Sequence, residues 1–221
     1  MALGNSGKSL PNTVRPARFY QRPHRISLVG LALTLLVGAF TVNGASITDH
    51  PVNKGIFLVA TEKLADSSFK ETVILITHFS EKGATGLAIN RPSEFQLKEV
   101  FPDREFLRHR REDVYLGGPV GTHSVFVLMR TQRPHAGMYN IAKDLYFAAG
   151  IEALTHGLDN LTGDEYARAY VGYSGWGPGQ LEYEIHRGDW ILVHADTDIV
   201  FDLDYRAVWK KLFKSWSGQW I

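Results

Sequence analysis

Val73-Ile-Leu-Ile-Thr-His-Phe-Ser-Glu-Lys-Gly-Ala-Thr-Gly-Leu-Ala-Ile-Asn90 decides the fold of this 221-residue chain. Its first seven residues are an apolar, β-branched run of strand length. They read as a strand buried on both faces. Glu81-Lys-Gly83 is a polar turn, and Thr85 to Asn90 returns as a partner strand. Residues 73–90 therefore predict a β-hairpin. Asn90-Arg91-Pro92-Ser93 stops it, because proline lacks a donor and restricts the residue before it. His78, inside the apolar run, reads as a hydrogen-bonded core histidine.

Outward from the hairpin, Gly55-Ile-Phe-Leu-Val-Ala60 and Trp190-Ile-Leu-Val193 have the same buried-strand character. Val114-Tyr-Leu116, entering the turn Gly117-Gly118-Pro119, Ser124 to Arg130 and Tyr166 to Gly172 read as further strands, with a weaker one at Met138 to Ile141. Ser93 is expected to cap a short helix through Phe101, and Pro102 to Asp113 to be a solvated connection. Ala148 to His156 predicts a helix ending at Gly157. Gly175-Trp-Gly-Pro-Gly179 predicts a tight turn into a helix carrying Leu181 and Ile185. Tyr205, Val208, Trp209, Leu212, Phe213 and Trp216 form one apolar stripe at helical spacing, a core-facing helix with Asp202 or Asp204 at its start. Strands and helices mix without regular βαβ alternation, which predicts an α+β fold.

Composition narrows the chemistry. The apolar fraction of 44% is that of a globular protein. The absence of cysteine excludes disulfides, thiolate metal sites and cysteine nucleophiles. Residues 1–48 hold Lys8, Arg15, Arg18, Arg22 and Arg25 and no acidic residue. Removing those five from the 24 basic residues leaves 19 against 23 acidic ones, so the remainder is mildly acidic. That balance makes direct nucleic-acid binding an unexpected role. Ile26 to Phe40 is an uncharged apolar run behind basic residues, followed by small ones. It reads as a signal peptide or membrane anchor over residues 1–45, engaging the membrane or export machinery, ahead of a single domain at 46–221. The expected location is the periplasm, or the inner membrane facing it. A misassigned start or a transit sequence is the alternative, with a cytoplasmic protein.

Candidate chemistry concentrates at three places. Gly172-Tyr-Ser174 supplies half of a Gly-x-Ser-x-Gly elbow, with Trp176 in the last position. His194 and Asp196 complete a triad with Ser174 only if folding brings them there. The glycines at 172, 175, 177 and 179 match neither dinucleotide nor P-loop spacing. Glu182 and Glu184 complement the dipole of the helix that follows. His194, Asp196, Asp198, Asp202 and Asp204 form an acidic cluster that reads as helix caps or, alternatively, a hard-cation site. No histidine pair has zincin spacing, and no metal or cofactor is expected. Asn90, Arg91, Gly117 and Gly118 belong to two turns that predict a polar pocket where they meet Gly175, Trp176 and Gly177. Arg91 would be its anion-reading member.

Several segments in order carry a resemblance: Gly55-Ile-Phe-Leu-Val-Ala60, Leu64-Ala-Asp-Ser-Ser-Phe69, Gly86-Leu-Ala-Ile-Asn-Arg-Pro92, Tyr115-Leu-Gly-Gly-Pro-Val120 and Gly172-Tyr-Ser-Gly-Trp-Gly-Pro-Gly-Gln-Leu-Glu182. Over residues 52–216 the chain resembles the YqgE/AlgH family, UPF0301. The resemblance implies a bifurcated mixed sheet curled into a pseudo-barrel, with helices packed outside. It implies no catalytic set or cofactor, and a label of transcriptional regulator. Family members commonly have Ala where Ser174 stands. The expected role is a non-catalytic binding or regulatory module of the bacterial envelope, with a small-molecule or protein partner. The alternatives are a cytosolic transcriptional regulator and a hydrolase using Ser174.

Overall fold

The expected hairpin forms: β2 (Val73–Ser80) pairs antiparallel with β3 (Gly83–Ala88), Ile74 opposite Ala88. The computed structural model describes residues 52–217. The expected leader at 1–45 lies outside the described residues. β1 (Ile56–Ala60) adds to β2, and β10 (Trp190–His194) adds to β1, both antiparallel. Alternation then sorts the side chains of these apolar strands. Phe57, Val59, Val73 and Leu75 enter an interior cluster, while Ile56, Leu58, Ile74 and Ile76 enter a second cluster on the opposite face. The inner half of β2 is thus buried on both faces. Its outer half is not: the register shifts between Ile76 and His78, and His78 is exposed rather than in the core.

The sheet divides at β9 (Tyr166–Trp176). One edge of β9 carries β6 (Val120–Arg130) antiparallel. The other edge carries β5 (Asp113–Leu116) in parallel at Ala169 to Val171, then β3 antiparallel at Ser174 to Trp176. Gly172 sits between the two partners at φ +68°. A side chain there would strike the Gly118 carbonyl, and one at Gly117 would strike the Gly172 carbonyl at 2.3 Å. The Gly117-Gly118 turn therefore crosses β9 at backbone distance, which only glycine permits.

Beyond β6 lie β8 (Leu145–Ala149) and the edge strand β7 (Tyr139–Ala142); β4 (Pro92–Gln96) pairs only with β5. The far edge curls back on the first strands. Gly55 stands with its Cα against the Ile141 carbonyl, and Lys54 Nζ donates to the Asn140 carbonyl at 2.8 Å. Leu128, Leu145 and Tyr170 consequently share one interior cluster with Phe57 and Leu75.

Helices cover what the curl leaves open. α2 (Ile151–Asp159) packs Leu154 and Leu158 against Val127 and Val171 on the outside, and α3 (Gln180–Arg187) packs Leu181 beside Trp176 and Trp190. α4 (Thr197–Phe201) and α5 (Tyr205–Ser217) contribute Val200, Val208 and Leu212 to the interior cluster. Trp209 Nε1 ties α5 to the Ala60 carbonyl at 2.8 Å. No helix among the described residues is long and apolar enough to cross a membrane.

Several local expectations are corrected. Ser93 lies in β4; α1 (Leu97–Val100) is opened instead by Gln96, whose N–H donates to Glu99 Oε2 at 2.8 Å in a capping box. The 102–113 connection holds a short 3-10 turn with buried Leu107, and Arg110 pairs with Glu112 and Asp159. Ala148 and Ala149 end a strand, and Gly157 is interior to α2, where it leaves room for the Met129 sulfur. Gly175 and Trp176 are the end of β9, so the turn is confined to Gly177 to Gly179.

Candidate functional site

The end of β9, the start of α3 and the loop at 64–69 enclose a pocket of about 250 Å³. Leu64, Asp66 and Phe69 form one wall, Pro119 and Val120 another, and Trp176, Glu184 and Trp190 the back. Trp176 is placed by strand alternation at the end of β9, Trp190 by the start of β10, and Glu184 by the first turns of α3. Gly188, in the left-handed region at φ +83°, ends that helix and turns the chain into β10.

Glu184 organises the back wall. Its Oε2 accepts both indole N–H groups, from Trp176 and from Trp190, each at 2.8 Å. Its Oε1 accepts from Gln180 Nε2 at 3.0 Å, a neighbour at i,i−4 on α3. Buried indole N–H groups need acceptors, and one carboxylate serves both. The sequence reading assigned Glu184 to the helix dipole; the structure turns it toward the rings instead. The rings meet nearly at right angles. Phe69 and Trp176 each stand 6.2 Å from Trp190, at interplanar angles of 71° and 81°.

Of the residues expected to line one polar pocket, Gly175 and Trp176 do so. Gly117 and Gly118 lie behind it, bringing Pro119 and Val120 to its rim. Gly177 donates its N–H to Gln180 Oε1 at 3.1 Å, closing the turn into α3. Asn90 and Arg91 stand elsewhere. Asn90 Oδ1 accepts from Val73 N, and its Nδ2 donates to the Glu71 carbonyl, both at 2.9 Å. Arg91 Nε donates to Thr72 Oγ1 at 3.1 Å, and Nη2 reaches Thr72 Oγ1 and the Lys70 carbonyl. Partial burial holds the Arg91 guanidinium below its usual pKa. Both side chains thus secure residues 70–73, directly after the loop that carries Phe69.

Ser174 is buried at the pocket floor, and its hydroxyl donates to the Gly117 carbonyl at 3.2 Å. His194 is not its partner. Ser174 pairs with Gly86, Gly86 with Ile76, and that row continues through Ile56 to His194. Four strand spacings separate the two, roughly 19 Å along the sheet. The nearby aspartates are occupied. Asp196 and Asp204 accept from Asp198 N and Arg206 N at helix starts. Asp202 receives Arg130 in a two-point pair at 2.7 and 2.9 Å, and Asp198 accepts from the same guanidinium at 3.2 Å.

A second cleft lies between α2 and the 131–135 loop. There the His135 and His156 ring centroids lie 3.9 Å apart with the planes tilted by 32°, and Glu165 accepts from Thr131, Arg133 and Thr162. Those hydrogen bonds hold the Glu165 carboxyl down to about 2. The sequence reading missed this cleft, as it missed Phe69, Asp66 and Trp190 at the pocket. Two tryptophans flanking an amphipathic helix, with Glu184 between them, were the available signal.

These features define a class: an α+β protein whose mixed sheet divides at one strand, with an indole-walled pocket where that strand meets a helix. The chain belongs to the AlgH-like family, UPF0301, whose model matches residues 57–221. It is 35% identical to a UPF0301 protein of Methylococcus capsulatus, covering 75% of this chain and 92% of that one. It is 37% identical to one from a Polaromonas strain, over 66% and 79%. The solution structure of the AlgH protein from Pseudomonas aeruginosa superposes with a TM-score of 0.61 at 29% identity, over 79% and 93% of the two chains. A crystal structure of a Corynebacterium diphtheriae protein gives 0.61 at 26%, over 74% and 86%.

Proposed function

We propose that this protein is a non-catalytic binding or regulatory module of the bacterial envelope, and that it binds through the indole-walled pocket. One observation carries the reading: the pocket is a partly open space with three aromatic rings in its lining, and its Ser174 hydroxyl and Glu184 carboxylate are engaged in structural hydrogen bonds. Ser174 is bound to a carbonyl, and Glu184 to two indoles and Gln180. No histidine lines the pocket to act as its base. Apolar walls with a few fixed polar groups are the usual make-up of a ligand site. The basic residues ahead of the apolar run at 26–40 support the envelope location, and the mildly acidic remainder supports a partner other than nucleic acid.

The binding reading is tested with the full chain labelled with 5-fluorotryptophan, its fluorine resonances assigned by single Trp→Phe variants. A mixed set of small cations, anions and neutral compounds should move the Trp176 and Trp190 signals and leave Trp209 and Trp216 in place. If the set moves none of them, the pocket is not a site. The location is tested by fractionating cells that carry a C-terminally tagged chain and sequencing the N-terminus of the product. A periplasmic or membrane-held species supports the envelope; a cytosolic one restores the regulator reading.

A further inference from the structure

We propose that the indole-walled pocket takes an organic cation, a small alkylammonium group. The proposal rests on the binding reading above and adds the chemistry of the ligand. Aromatic faces attract cations through the ring quadrupole, most strongly for tryptophan. Here Phe69, Trp176 and Trp190 all line the space, and Phe69 and Trp176 each meet Trp190 edge to face, so the three ring planes differ in direction.

The hydrogen bonds favour the same ligand. Both indoles donate their N–H to Glu184, which polarises the rings and makes them more electron-rich. A neutral or anionic ligand seeking a donor finds both indole N–H groups taken. The charges agree. Asp66 and Glu184 line the space. Asp66 uses Oδ1 to cap the turn at 67–69, through Ser68 N at 2.9 Å. The lining guanidinium, Arg187, is paired with buried Asp189, with Nε to Oδ2 at 2.9 Å and Nη2 to the same oxygen. Two carboxylates therefore remain unmatched by a lining cation. Lys63 stands over Gly188, outside the lining. An anion would meet both carboxylates and would have to share Arg187 with Asp189. The volume of about 250 Å³ admits a group the size of trimethylammonium. It falls below the roughly 300–1,000 Å³ of sites for larger ligands.

The test titrates the fluorotryptophan-labelled full chain with choline and with 3,3-dimethylbutanol, its neutral isostere. Choline should shift the Trp176 and Trp190 resonances saturably, and the neutral compound should bind at least tenfold more weakly. Glu184→Gln keeps an acceptor for the indoles and removes the charge. It should weaken choline about tenfold while the Trp209 and Trp216 signals stay at their folded positions. Glycerophosphocholine separates a lipid headgroup from a free amine: tighter binding than choline indicates a headgroup, weaker binding a free cation. Equal binding of choline and its isostere overturns the cation class and leaves the binding reading intact. No shift at either tryptophan from any of these compounds overturns the cation proposal, and the mixed set above then decides whether the pocket binds at all.

Discussion

At the scale of single residues, the glycines of this chain divide by what a methyl group would touch. A Cβ added at Gly117 would fall 2.3 Å from the Gly172 carbonyl oxygen, backbone that is itself part of the sheet. A Cβ added at Gly157 would fall 2.9 Å from the Met129 sulfur, near the far end of a flexible side chain. Gly117→Ala should therefore destabilise by about 3 kcal/mol or more, because β5 and β9 must separate. Gly157→Ala gains up to about 1 kcal/mol of helix propensity, which offsets the displacement of Met129. Its net change should stay within about 1 kcal/mol of zero. Urea denaturation of the two variants checks the contrast, and equal losses would refute it. Glu71 shows the other use of local conformation. It holds φ at +55° without being glycine, with its carbonyl bound by Asn90 Nδ2. Asn90 and Arg91 secure this loop and do not line the pocket.

At the scale of elements, legibility followed the length of the pattern. The long apolar runs at β1, β2 and β10 and the stripe of α5 could be read because alternation and the helical period repeat several times within them. Short elements could not. β8 was hidden because Leu145 to Ala149 has too few alternating residues to separate it from the helix that follows, and Gly157 imitated a helix stop. β4 was hidden because a strand opening on Pro92 survives only at an edge. The site was half legible. Gly175 and Trp176 announce a tight place in the chain, but Phe69 and Trp190 reach it from residues distant in sequence, through pairings that no local pattern encodes. The 131–135 segment and the turn at 162–165 are another such pairing, joined through Glu165, and their junction is sensitive to acid. The Glu165 carboxyl, held at about 2 against an ordinary 4.5, favours the folded state fully above the ordinary value. That contribution is lost as pH falls from about 4.5 toward 2. His135, across the same cleft, is held below its ordinary value by burial first and by His156 beside it. Glu165→Gln should therefore lower the denaturant midpoint at pH 5 and approach the parent near pH 2.5. Parallel profiles across that range would show that Glu165 carries no such linkage.

At the scale of the whole molecule, the divided sheet has one interior and two exteriors. The limb β10-β1-β2-β3 and the limb around β6 and β8 have separate outer clusters, covered by α3 and α2 respectively. What joins them is the strand β9, the closure of β7 against Gly55, and the interior cluster sealed by α4 and α5. Leu212 is the sensitive point of that seal, buried on α5 in a cluster that includes Phe57 of one limb and Leu128 of the other. Leu212→Ala should cost about 2–5 kcal/mol, the usual range for a cavity in a packed core. Because the interior is shared, the loss should appear in both limbs. Amide exchange in β1 and in β6 should accelerate by the same factor, and urea unfolding should remain a single transition with an unchanged slope. If the limbs were independent, exchange would quicken only in β1 and β10, the strands α5 packs against, while β6 kept its protection. That outcome would make the bifurcation a boundary between two folding units. Equal acceleration makes β9 and the α5 seal parts of one cooperative structure, in which the pocket at the end of β9 is held by both limbs at once.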